Sequence, residues 1–412
     1  MPPMLQGIAL PRIATLMIGM AVPVSVALDN LLLAVVLLGV LFNARDIWRI
    51  AKQHPVARAA WLLFGALLLA MFYGSTPLRE AAGALGKYAD LAFVPLFMLM
   101  LPDDSYRRRA QHAFIASMGL TLLLSYLVGL KLLPVQHWMS EFATADNPVI
   151  FHSHITQNNM MAFAVFLALL NLREAAARSA QLAWGLFAAL ASCNALFMVQ
   201  GRTGYMILLV LLGWFAWTTL ARRMHARGKA MGWRHGAAGL LAVSAVALAS
   251  YFASPRLHDR VSLVAAEYQA WQPNQGKDTS TGQRLDFYYN SLQIIAKHPL
   301  LGVGTGGFAA AYAEQTKRTE VLQTPNPHNE YLLIAAQAGV AGLALLLYLF
   351  YSIWRSAPLL DTPFAQDAPR GLVLAYMVNG AFNSALHDHS DGLFFAFMMA
   401  VLFADLKMKK SG

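Results

Sequence analysis

Residues 331–354 read YLLIAAQAGVAGLALLLYLFYSIW, bounded by Glu330 on one side and Arg355 on the other. No residue within the run is charged. A helix that crosses a bilayer needs about 20 mostly apolar residues, so this stretch predicts a membrane-spanning helix centred near residue 343. The same test applied outward finds apolar stretches centred near residues 17, 36, 65, 92, 121, 164, 190, 212, 245, 378 and 399. Together they predict about twelve spans. Composition agrees: the chain is 58% hydrophobic and 13% charged, against about 25% charged in ordinary soluble domains. The expected fold is an all-α integral membrane protein, with residues 1–412 as one polytopic domain. No cleavable leader is expected, because the first apolar stretch, Ile8 to Val26, runs straight into the next. Cys193, the single cysteine, lies mid-span and reads as a small core residue.

A net charge of +10 would suggest nucleic acid in a soluble protein. In a membrane protein the cations are first sorted by loop. Twelve spans put both termini on one side. With them fall Arg12, the loop holding Arg45, Arg49, Lys52 and Arg58, Arg107 to Arg109, and Arg173 with Arg178. Arg222 to Arg234, Arg355, Arg370 and the last lysines follow. That face collects 20 of the 31 Lys and Arg residues. Cytoplasmic loops carry the Lys/Arg excess, so this face and both termini are expected in the cytoplasm. The longest extramembrane segment, residues 254–329 between spans nine and ten, is then outside. Within it Arg284 to Ile295 (RLDFYYNSLQII) has apolar residues at helical spacing and predicts an amphipathic helix lying on the bundle.

Three polar islands share that outer face. The first is the turn Gly201-Arg202-Thr203-Gly204 between spans seven and eight. Its glycines expose a guanidinium and backbone N–H groups, which suits phosphate; the alternative is a turn whose arginine snorkels to headgroups. The second runs from Thr281 to Glu330. It holds Arg284, then His298-Pro-Leu-Leu-Gly-Val-Gly-Thr-Gly-Gly-Phe308, then Thr324-Pro-Asn-Pro-His-Asn-Glu-Tyr-Leu332. Glycines such as Gly304 and Gly306 would let backbone amides approach a pyrophosphate. The run is neither a dinucleotide fingerprint nor a Walker loop. Asn326 reads as a helix N-cap and Pro327 as the first helical residue. His328 then falls in the first turn, where macrodipole and burial keep its imidazole neutral, as a general base requires. The third island is His387-Asp388-His389-Ser390-Asp391. Asp388 or Asp391 reads as an orienting group for a base or a ligand for a sugar hydroxyl, and equally as part of a hydrated turn. His389, with His152 and His154, raises a metal site, which the absence of dependable ligand spacing argues against. Arg79 and Lys87 flank an outer loop and add positive charge to the same face. Asp29 reads as a cap of span two, and Asp90, inside span four, has Lys87 as its local partner. Basic and titratable groups gathered at one membrane face point to chemistry on an anionic, lipid-linked substrate.

The order of these pieces resembles the O-antigen ligase family of the wider Wzy-C superfamily. The shared features are a many-span bundle, an Arg-Thr-Gly turn, and a long late outer loop with an arginine. A Pro-Leu-Leu-Gly-Val-Gly-Thr-Gly segment and His-Asn-Glu-Tyr-Leu at the next span complete the set. The specific motifs cover Gly201 to Leu332; Gly201 stands where the family has serine. The resemblance implies a GT-C-like membrane glycosyltransferase that is metal-independent and has no cofactor. It further implies an undecaprenyl pyrophosphate-linked glycan as donor, lipid A–core oligosaccharide as acceptor, a site on the periplasmic face of the bacterial inner membrane, and no nucleic-acid partner. Carried over by motif, His328 matches the family's catalytic histidine, and Arg202 and Arg284 its essential arginines. An O-antigen polymerase or a protein O-oligosaccharyltransferase would share such a site and differ in acceptor. A lipid-linked glycan flippase is the rival of another class. Internal repeats and midplane ionisable sites would mark a transporter; no repeat is evident, and the polar groups lie at one face.

Overall fold

The structure, a computed structural model, describes residues 9–228, 252, 255–275, 279–404 and 406. Those residues are helical, with no strand among them. In chain order the helices are α1 (Ala9–Ala21), α2 (Val26–Gln53), α3 (Pro55–Ala70), α4 (Leu78–Gly86), α5 (Asp90–Met100) and α6 (Asp104–Gly129). Then come α7 (His154–Glu174), α8 (Arg178–Cys193), α9 (Arg202–Ala226) and α10 (Pro255–Ala270). The last five are α11 (Ser280–Lys297), α12 (Phe308–Thr316), α13 (Glu330–Ser356), α14 (Pro363–Phe382) and α15 (His389–Phe403). Helix occurs at every expected centre except that near 245, which lies outside the described residues. Among the described residues six helices are long and apolar enough to cross a membrane: α2, α6, α7, α8 with its π-helical extension to Met198, α9, and α13 with its extension to Leu359. The pair α4–α5, bent by 41°, makes a seventh if it is one span, while α1, α3 and α15 are apolar but shorter.

Local chemistry sets the helix ends. The Ser25, Ser153, Thr279, Asn329, Thr362 and Asp388 side chains each accept an N–H of the helix they precede, relieving donors that have no partner inside the helix. Ser25, not Asp29, therefore caps α2; Asp29 is fully buried and neither carboxylate oxygen has a hydrogen-bond partner among the described residues. Asp90 meets His389, with Oδ2 3.5 Å from Nδ1; the local partner Lys87 is not used. Cys193 is exposed on the bundle surface and not in the core.

Two of the cations sorted by loop meet at one buried carboxylate. Buried Asp367 at the head of α14 takes Arg173 from the tail of α7 at 2.8 Å and Arg222 from the tail of α9 at 3.0 Å. Of the polar islands, the one at Arg202 lies at the end of α9 opposite Arg222. Glu330 opens α13, Arg202 opens α9 and His389 opens α15.

α13 is broken at Gly339, whose φ of 64° is left-handed. A break removes i→i−4 hydrogen bonds, and unpaired backbone groups inside a membrane protein are costly. The glycine-rich loop supplies the missing partners. Val303 N donates to Ala336 O at 2.8 Å, Gly304 N to Gln337 O at 2.9 Å, and Val340 N to Pro299 O at 2.8 Å. Gly306 N reaches Gln337 Oε1 at 2.8 Å. Thr305 completes the dock on α3, through N to Ala70 O at 3.2 Å and Oγ1 to Leu67 O at 2.7 Å. A methyl group at residue 339 would fall on the Leu300 carbonyl. Gly339→Ala is expected to lose about 1–2 kcal/mol from left-handed strain, with the clash adding to it, and to lower the thermal midpoint in detergent. Gly213→Ala, where an added Cβ meets nothing within 4 Å, is the control and should not fall below wild type.

The outer loop has a small core of its own. Phe287 and Ile294 of α11, Phe308 and Tyr312 of α12, and Val321 pack on Leu333 and Ala336 of α13. The amphipathic helix expected at Arg284–Ile295 is this α11, two turns of which lie against the bundle.

Candidate functional site

α11 presents Arg284, Phe287 and Tyr288 at positions i, i+3 and i+4, which share one helix face. That face meets the turn ahead of α13. The Phe287 and His328 rings lie 6.0 Å apart at 32°. The Tyr288 hydroxyl divides its proton between Ala381 O at 3.1 Å and His328 O at 3.4 Å. His328 has φ 54°, left-handed and uncommon for a residue other than glycine. It is not in the first turn of α13: Asn329 is the N-cap, its side chain accepting Leu332 N at 3.0 Å. Asn326 instead closes the preceding turn, its Oδ1 accepting His328 N at 2.8 Å and Ser384 Oγ at 2.7 Å. The imidazole thus projects past the helix end, covered on one side by Phe287 and open on the other.

Burial, then the positive charge of Arg284, holds the His328 imidazole below its ordinary pKa. Desolvation and a like charge both disfavour the protonated ring. The shift is in the direction expected from the sequence, and Arg284 supplies part of the cause. Glu330 does not oppose it. Its carboxylate is buried and faces away, with Oε2 accepting Leu386 N at 2.7 Å and Oε1 accepting Tyr88 Oη at 3.4 Å.

Arg202 is the first residue of α9 and is exposed. Its turn is fixed by Asn158 of α7. A Cβ at Gly201 would stand 2.6 Å from Asn158 Nδ2, and Gly204 lies against the same side chain. The serine-to-glycine departure at 201 thus accompanies a close helix approach. Thr203 Oγ1 accepts Asn383 Nδ2 at 3.2 Å, and Asn383 O accepts Glu330 N at 3.1 Å. The first island is therefore tied to the head of α13 through Asn383. His154 adds a further link: its carbonyl lies by Gly201, and its ring is within electrostatic reach of Arg284. Neither Arg202 nor Arg284 forms an ion pair among the described residues. An unneutralised Arg284 guanidinium within electrostatic reach of an imidazole held below its ordinary pKa favours an anion beside a group able to accept a proton.

Other expected contributors sort differently. The Gly304 and Gly306 amides are already bonded to Gln337, so the glycine run packs a loop onto two helices and leaves no cradle for phosphate. Asp391 is buried; Asn159 Nδ2 reaches its Oδ1 at 2.6 Å and Thr156 Oγ1 its Oδ2 at 3.0 Å. Its carboxylate anchors α15 to α7 and does not face a ligand. Asp388 caps α15, with Oδ1 accepting Ser390 N at 3.0 Å and Asp391 N at 3.2 Å, yet stays exposed. His389 is half-buried against Asp90. Arg79 and Lys87 are exposed. Lys87 charges the surroundings of His387, whose pKa burial, with Lys87 second, pushes down to about 4. His152 holds Val22 O through Nε2 at 2.8 Å. Among the described residues no three His, Cys, Asp or Glu side chains are grouped as metal ligands would be. Sequence reasoning passed over Tyr288 and Asn158, and gave Asn326 the role of a cap. For Tyr288 a signal existed: its spacing from Arg284 on one predicted helix.

Residues 186–347 match the family model described as O-antigen ligase. That segment contains Arg202, Arg284 and His328, and the resemblance drawn from their motifs is shown there. An uncharacterized protein of Haemophilus influenzae is 25% identical over 122 residues, 28% of this chain. The match spans 31% of that relative's length.

Proposed function

We propose, from an O-antigen ligase family segment at residues 186–347, that the chain is a metal-independent inverting glycosyltransferase with a GT-C-like bundle. It moves an O-antigen glycan from undecaprenyl pyrophosphate to lipid A–core oligosaccharide on the periplasmic face of the inner membrane, with both termini cytoplasmic. The observation that carries the reading is an unneutralised Arg284 within electrostatic reach of a His328 held neutral.

In the transfer, His328 takes the proton of the acceptor hydroxyl as its oxygen attacks the anomeric carbon. The bond from that carbon to the diphosphate oxygen breaks, and the electron pair leaves on the diphosphate. A single displacement inverts the centre. Arg284 and Arg202 stabilise the negative charge as it develops in the transition state. Holding two lipid-anchored reactants in line supplies much of the remaining acceleration.

Purified full-length protein in lipid is the test. Given undecaprenyl diphosphate-linked glycan and lipid A–core, it should form the joined product without ATP or an ion gradient, and EDTA should leave the rate unchanged. Product built only on a second lipid-linked glycan, or only on a pilin-type protein, would reassign the acceptor. Donor movement across the bilayer with no new glycosidic bond would remove the enzyme reading altogether.

A further inference from the structure

We propose that the Tyr288 hydroxyl is a positioning group, fastening α11 to the turn ahead of α13 and thereby holding Arg284 against His328. The inference rests on the reading of His328 as base, and it adds a residue that neither motif nor family match assigns. Four observations meet at this hydroxyl. The last turn of a helix leaves carbonyls without partners, and in α14 the Ala381 carbonyl accepts both Tyr288 Oη at 3.1 Å and Asn329 Nδ2 at 2.9 Å. The same hydroxyl reaches His328 O at 3.4 Å. His328 is held left-handed, a strained conformation for a residue with a side chain, so the turn needs bonds on both sides to persist. Asn326 provides the one on the N–H side and Tyr288 the one on the carbonyl side. Finally, Arg284 stands one helical turn before Tyr288 on the face turned to His328, so a latch at 288 sets where the guanidinium lies. The hydroxyl is a dependable donor: burial raises the Tyr288 phenol above its ordinary pKa despite the opposing Arg284 charge, so it keeps its proton at neutral pH.

The experiment separates this from the catalytic reading. Diethyl pyrocarbonate labels neutral imidazole, and mass spectrometry of the peptide reads its extent at His328 from about pH 5 to 8. Full-length wild type, Tyr288→Phe, Arg284→Ala and the neighbouring control Tyr289→Phe are compared, each with its thermal midpoint and glycan transfer measured. In Tyr288→Phe the labelling profile is expected to shift to higher pH, the direction that loss of Arg284 also produces. Transfer should fall about 10-fold or more, chiefly in kcat, at an unchanged midpoint. Tyr289→Phe should match wild type. An unmoved His328 profile in Tyr288→Phe overturns the proposal whatever happens to transfer. A shifted profile in a protein whose wild type transfers no glycan leaves the latch standing and removes the proposed reaction.

Discussion

His328→Asn is expected to lower glycan transfer by about 10²–10⁴-fold, the usual contribution of a well-placed base, while the protein still inserts and keeps its thermal midpoint. The choice of asparagine follows from the backbone. At φ 54° alanine carries left-handed strain, whereas asparagine visits that region readily. His328→Ala would confound lost chemistry with a disturbed turn. Because burial and Arg284 hold the imidazole below its ordinary value of 6.5, the wild-type rate should stay high down through pH 6.5. It should fall only as the pH drops through the lowered pKa and the ring takes up its proton. His328→Asn should flatten that acidic limb. Transfer at the wild-type rate in His328→Asn would end its assignment as base.

Arg284→Ala is expected to cost about 10²–10³-fold in kcat, the scale for one donor aimed at developing charge. A second effect has a definite sign. Removing a positive charge near His328 lets its pKa rise, so the acidic limb of the pH–rate profile moves to higher pH. Arg284→Lys keeps the charge but loses the planar fork that grips a diphosphate; it should retain the wild-type limb position while recovering only part of the rate. Arg284→Ala with wild-type kcat and an unmoved limb would show that this guanidinium neither holds the leaving group nor tunes the base.

The membrane-crossing helices could be read from sequence because their signal is local and long. A run such as 331–354, free of charge between Glu330 and Arg355, can hardly be anything else. Which face the islands occupy rests on loop charge alone; within the fold, two of the sorted cations, Arg173 and Arg222, meet at Asp367. Single residues were harder. Asn326 and Asn329 both have the chemistry of a cap, three positions apart. Asn329 makes the cap bond to Leu332 N, while Asn326 is engaged by Ser384 from the turn after α14. The glycine run suggested phosphate because such amides are usually free; here they fill the break at Gly339, a partner that no local pattern announces. Likewise the partner of Asp90 is His389, at the far end of the chain, and not the nearby Lys87.

The break at Gly339 also fixes depth. Val340 to Ser356 on its inner side extends about 25 Å at 1.5 Å per residue, most of a hydrocarbon layer about 30 Å thick. On the proposed function the shorter piece, Glu330 to Ala338, stands at the level of the lipid headgroups, with His328 just before it. A donor whose phosphates ride at that plane can keep its whole isoprenoid chain dissolved among the acyl tails while its first sugar reaches the imidazole. No extraction from the leaflet is required, so turnover should respond to bilayer thickness, which shifts the phosphate plane against a fixed protein ledge.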